Sequence, residues 1–114
     1  MRTLNDYFIY TTLATVSTAG QIYVAVPDSG KIIKVFSTLQ GAIGTAPAVL
    51  TIKTAEGTVT ETISITHTSS AAGDVDSCVP ADNNNVIEGG TIEIETSGAS
   101  TNAIAAELCI VVRR

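Results

Sequence analysis

The chain has no tryptophan, one histidine, one methionine, two cysteines and six basic residues among its 114. Each scarcity closes off a class of function. A zinc site needs several imidazole or thiolate ligands, and one histidine with two separated cysteines falls short. Acid–base catalysis needs a histidine oriented by a partner, yet His67 stands between Thr66 and Thr68 with no carboxylate beside it. It reads as an ordinary surface histidine. Cys78 and Cys109 have no metal-binding spacing and are too few for a disulfide framework. Free thiols are expected of them, with a Cys78–Cys109 bridge as the alternative. Aromatics are few: Tyr7, Phe8, Tyr10, Tyr23 and Phe36. The three tyrosines sit in strands that read as buried, so no exposed platform for a sugar is expected.

Positive charge is missing over most of the chain. No Lys or Arg occurs from Thr54 to Val112, while acids recur throughout, and the net charge is −5. Nucleic-acid binding requires a dense basic footprint, so nucleic acid is excluded as a partner. No apolar run is long enough to span a membrane. Residues 1–20 carry Asn5, Asp6 and several threonines where a secretory leader needs an unbroken apolar core, so use in a cytoplasm is expected. Glycine-rich phosphate loops are also absent: Gly41-Ala-Ile-Gly44 has no lysine, and Gly89-Gly90 opens a strand.

What remains is abundant Thr, Val, Ile and Ala, a composition that favours strands. Residues 1–114 are read as one domain. Turn signals separate about eight or nine strands, and the fold class expected is an all-β antiparallel sandwich of jelly-roll-like form. The first strand is read as Tyr7 to Val16, with Tyr7, Ile9 and Leu13 opposing Phe8, Tyr10, Ala14 and Val16. A second alternates around Ile22, Val24 and Val26, and Pro27-Asp28-Ser29-Gly30 is expected to close a hairpin into Lys31–Leu39. In that third strand Ile33 and Val35 oppose Ile32, Lys34 and Phe36. Ala48–Thr54 and Thr58–His67 form the clearest hairpin, with Val59, Ile63 and Ile65 inward and a ladder of Thr and Ser outward. A short strand at 74–80 is expected to turn Val75 and Val79 inward and Cys78 outward. The strongest pattern is Val86-Ile-Glu-Gly-Gly-Thr-Ile-Glu-Ile-Glu, where Ile92 and Ile94 alternate with Glu93 and Glu95.

The closing strand differs. Ile104, Ala106, Leu108, Ile110 and Val112 share one face, but Cys109 and Val111 make the other apolar as well. The first strand is likewise apolar on both sides. Either both strands are central and covered within the chain, or a second subunit covers them. The interface reading takes Tyr7, Ile9, Cys109 and Val111 as its contacts. The loose acidic group Asp74, Asp76, Asp82, Asn83, Asn85 and Glu88 lacks the spacing of a helix-loop-helix calcium site and reads as a solvated loop. No cofactor, no metal and no enzymatic activity is expected.

In the segment Val86-Ile-Glu-Gly-Gly-Thr-Ile-Glu-Ile-Glu-Thr-Ser-Gly and the closing strand through Val112, the chain resembles the small β-sandwich decoration, or cement, proteins of tailed bacteriophage capsids. The resemblance implies a structural protein of the virion, assembled in the host cytoplasm. It would sit on the outer capsid surface as a homotrimer and clamp neighbouring capsomers of the major capsid protein. On that reading Arg2, Lys31, Lys34, Arg113 and Arg114 are the candidate capsid contacts, while Glu93, Glu95 and the 81–85 loop face solvent. The alternative is a trimeric tail-fibre or receptor-binding module for a host surface glycan or protein.

Overall fold

The computed structural model describes residues 6–98 and 103–114. Its nine strands are β1 (Asp6–Leu13), β2 (Gly20–Ala25), β3 (Gly30–Leu39), β4 (Ala48–Thr54), β5 (Gly57–Ile65), β6 (Val75–Cys78), β7 (Asn85–Val86), β8 (Thr91–Thr96) and β9 (Ala106–Arg113). All pairings are antiparallel, in two sheets, which makes the molecule an all-β sandwich. One sheet runs β1-β9-β3-β6, with β7 also on β3, and the other runs β2-β8-β4-β5. The pairings nest. β4 with β5 is innermost, then β3 with β6, β2 with β8, and β1 with β9 outermost. Two further pairings, β3 with β9 and β4 with β8, join these ribbons side by side.

Alternation sets which side chains enter the core. In the four-stranded sheet Ile22, Ile94 and Ile52 lie in one row and Val24 and Ile92 in the next. In the other sheet the inward rows are Leu13–Ala106–Leu39, Thr11–Leu108–Ser37–Asp76, Ile9–Ile110–Val35–Cys78 and Tyr7–Val112–Ile32. Ile52, Ile92, Ile94, Ile110, Val35 and Val112 are wholly buried. Each such aliphatic side chain stabilises the fold by roughly 1.5–3 kcal/mol relative to exposure. The Ala48–Thr54 and Gly57–Ile65 hairpin forms as expected, with Val59, Ile63 and Ile65 inward, and Gly57 supplies the positive φ of its turn.

Several local expectations are corrected. Pro27-Asp28-Ser29-Gly30 does not close a hairpin, because β2 pairs with β8 while β3 pairs with β9. The turn instead carries the chain from one sheet to the other. The Tyr7 hydroxyl donates to the Asp28 carbonyl across this corner. In β3 a register shift between Ile32 and Lys34 lets Ile32 and Val35 both face inward, leaving Ile33 half-buried. In β6 the parity is the reverse of that expected: Cys78 is 3% exposed in the core, while Val75 and Val79 are exposed. Cys78 lies opposite the inward Val35, and pairing decides the face. β1 ends at Leu13, before Val16.

The three asparagines do more than fill a solvated loop. The Asn83 amide donates to the Thr58 carbonyl, buried Asn84 donates to Ile32 and Pro80 carbonyls, and Asn85 donates to Glu56. They tie the 81–85 segment to both sheets.

Candidate functional site

The register places four rows on the outward face of the five-stranded sheet. They are Asp6–Arg113–Lys31, Phe8–Val111–Lys34, Tyr10–Cys109–Phe36–Ser77, and Thr12–Glu107–Thr38–Val75. The two middle rows form an apolar, aromatic strip. Phe8 is 55% and Tyr10 71% exposed, with ring centroids 6.4 Å apart. Val111 is 9% exposed and Cys109 half-buried between them and β3. The Lys34 ammonium lies 4.9 Å from the Phe36 ring centroid, so a cation stands over the aromatic on the β3 side. The Cys109 thiol neighbours the Tyr10 hydroxyl closely enough to push the phenol pKa up.

Charge is distributed along the strip's length. At one end Arg113 pairs with Asp6 at 2.8 Å, and Lys31 stands opposite Arg113 in the ladder. The hydrogen bond and charge of Asp6 push the Arg113 guanidinium pKa further up. Arg114 reaches Asp28 at 3.1 Å and lies over the Tyr7 ring. At the other end Glu107 accepts a hydrogen bond of 2.9 Å from Thr12.

Four of the expected capsid contacts, Lys31, Lys34, Arg113 and Arg114, therefore do gather at one end of one sheet; Arg2 lies outside the described residues. Of the expected interface residues, Cys109 and Val111 stand on the outward face, but Ile9 and Tyr7 do not. Ile9 is 7% exposed and packed in the core, and Tyr7 is half-buried against it, so burial raises its phenol pKa. Phe8 and Tyr10, the opposite parity of the same pattern, take their place, joined by Phe36 from β3. The two-sided apolarity of Tyr7-Phe8-Ile9-Tyr10 signalled that a second face existed, without saying which parity was inside.

The outward face of the other sheet is built differently. Tyr23, Glu93, Lys53 and Thr58 form one row, and Gln21, Glu95 and Thr51 the next. Lys53 bridges Glu93 and Glu95, each at 3.5 Å, and Glu95 first and Glu93 second raise its pKa. These acids are thus half-buried and paired, not simply solvated. Tyr23 is exposed rather than buried, as Tyr10 is, and stands at an open groove of about 450 Å³ with Lys53, Thr58 and Glu93.

Both cysteines are free thiols. Burial, then the charge of Glu61, pushes the Cys78 thiol up to about 11. His67 is half-buried, with Nδ1 lacking a hydrogen-bond partner among the described residues. Among the described residues no group of three or more His, Cys, Asp or Glu side chains is arranged to hold a metal ion.

No protein-family model matches the chain, and no curated protein matches it. Solved structures do. A chain from the acidic stable capsid structure of Helicobacter pylori bacteriophage KHP30 is 13% identical, with a TM-score of 0.61, covering 96% of this chain and 87% of that one. The likeness is one of fold. A family 6 carbohydrate-binding module is 14% identical with a TM-score of 0.57, covering 92% of this chain and 82% of its own length. The catalytic unit of a thermostable GH87 α-1,3-glucanase from Streptomyces thermodiastaticus is 12% identical with a TM-score of 0.57, and the likeness covers 97% of this chain but 26% of the enzyme. The same sandwich thus serves a capsid structure, a carbohydrate-binding module and a glucanase, so function must be argued from the surface.

Proposed function

We propose that this chain is a non-enzymatic structural protein of a virion, which binds the outer surface of a phage capsid and stabilises it by bridging capsomers of the major capsid protein. The observation that carries the reading is the aromatic strip of Phe8, Tyr10, Val111 and Phe36, flanked by Lys31, Lys34 and Arg113. Monomeric proteins seldom leave contiguous aromatic surface in water, and such patches mark association. The nested ribbon of strands is what a jelly roll is built from, and the fold likeness to a phage capsid chain over nearly its whole length supports the same reading. A subunit that binds only the assembled shell shifts the equilibrium towards it, and many copies multiply modest contacts. Pelleting with undecorated capsids tests this: saturable binding and greater resistance of the shells to heat are expected. Absence of co-pelleting at micromolar protein would overturn it.

A second reading, a virion module that binds a host glycan, is favoured by one observation, the exposed Tyr23 at the open groove beside Lys53 and Glu93. Aromatic faces and paired polar groups are common in sugar sites. A glycan array probed with wild type and Tyr23→Ala separates the two. Binding lost in the variant would favour this reading.

A further inference from the structure

The aromatic face is complementary to itself. Its rows run from Asp6–Arg113–Lys31, through Phe8–Val111–Lys34 and Tyr10–Cys109–Phe36, to Thr12–Glu107–Thr38. The first two rows carry the cations Arg113, Lys31 and Lys34 against one carboxylate, Asp6, which holds Arg113 at 2.8 Å. They so keep a positive excess, while the last row carries the carboxylate of Glu107. A two-fold axis in the plane of contact, perpendicular to the strands and level with Ile110, exchanges the first row with the fourth and the second with the third. Under that operation Arg113 of one copy faces Glu107 of the other. Phe8 faces Tyr10, and Lys34 faces Phe36, the ring it already covers within its own copy at 4.9 Å. Every contact is made twice, which is the property of an isologous interface.

We propose that the outward face of the five-stranded sheet pairs with the same face of a second copy about such an axis. The occupant is this chain itself, because the face supplies both the cations and the carboxylate that complement each other across the contact. The pair is two-fold, in contrast to the trimer that the resemblance implies. Three copies around a three-fold axis would set this face against some different surface and leave its own complementarity unused. Four strands about 4.8 Å apart and about seven residues long bury on the order of 1,000 Å² between two copies, near the lower limit for a specific interface. The dimer is therefore expected to be reversible and to form with rising protein concentration. The pair and the proposed capsid contact use the same face and exclude each other, so the pair is the form of the free chain. Its test uses the isolated chain and stands or falls apart from capsid pelleting.

Sedimentation equilibrium over a concentration series reads it. Wild type is expected to pass from one chain to two, with no larger species. The charge variants take Asp6→Asn as their background, which removes the carboxylate that holds Arg113 within its own chain. There Glu107→Arg sets two like charges face to face, as does Arg113→Glu, and each should weaken the dimer about tenfold. The double variant restores opposite charges and should return to within about threefold of that background, because the two positions meet across the axis. Tyr10→Asp, at the most exposed position of the strip, should abolish the dimer, while Tyr23→Asp on the opposite sheet leaves it intact. Thermal melts confirm that each variant is folded. A wild type monomeric to millimolar concentration, a trimer, or a double variant no better than its singles would each overturn the two-fold face.

Discussion

The two sheets share one core but present opposite surfaces. Outside the four-stranded sheet, Glu93, Glu95, Lys53 and the Thr-rich ladder of β5 make a polar, mutually paired surface. Outside the five-stranded sheet, Phe8, Tyr10, Phe36, Cys109 and Val111 make an apolar one. Thr and Glu on a strand satisfy β geometry and remain hydrated, so the first surface needs no cover. The second keeps aromatic area in water, and it is from this exposure that association is proposed. Inner faces hold this fold together; the outer faces differ in chemistry.

The largest effect should come from the part the sheets have in common. Ile94→Ala under the polar surface and Ile110→Ala under the aromatic one should each cost about 2–5 kcal/mol in denaturant unfolding, since both side chains are wholly buried. Similar losses would place the contrast entirely on the outer faces. A loss below about 1 kcal/mol at Ile110 alone would instead show the five-stranded sheet to be loosely packed and break the comparison.

The cysteines sharpen it next, because they occupy opposite faces of one sheet. In dilute protein at neutral pH a maleimide should label Cys109 and leave Cys78 unreacted in the fold; equal labelling would refute the placement. If the face self-associates, labelling of Cys109 should slow as protein concentration rises. Cys78 also gives a pH dependence. Its folded pKa of about 11 lies above the ordinary 9.0, so the folded state holds its proton where the unfolded chain releases it. The stability contributed is complete below pH 9.0 and is lost as pH rises towards about 11. Cys78→Ala should flatten that limb of a stability–pH curve, and an unchanged slope would assign the loss elsewhere.

The smallest effect is expected on the polar surface. Lys53→Met breaks the bridge to Glu93 and Glu95, leaving two carboxylates near each other. Exposed pairs contribute little, so a slight fall in melting temperature is expected, diminishing as salt is added. A large, salt-independent fall would mean that this network braces the sheet.

The resemblance to a phage shell component rests on a segment whose structure follows the pattern closely. Ile92 and Ile94 are wholly buried in β8, and Ala106, Leu108, Ile110 and Val112 point inward from β9. The β4–β5 hairpin was equally plain, because its turn and its Thr ladder lie together in sequence. The candidate site was half visible. Cys109 and Val111 were legible as an uncovered second face, and the basic residues at 31, 34, 113 and 114 as a group. That these belong together is a matter of β9 lying between β1 and β3, partners separated from it by most of the chain.

The sequence by itself determined that the chain would be rich in strand and which of its alternating segments had a buried side. Two-residue periodicity is local, and so is composition. Only the tertiary structure decided which parity of β1 faces the core, that Cys78 is inside, that Ile32 and Val35 share an inward face across a bulge, and that Pro27-Asp28-Ser29-Gly30 crosses between sheets. Alternation defines two faces of a strand but labels neither, and the label comes from the strand it pairs with.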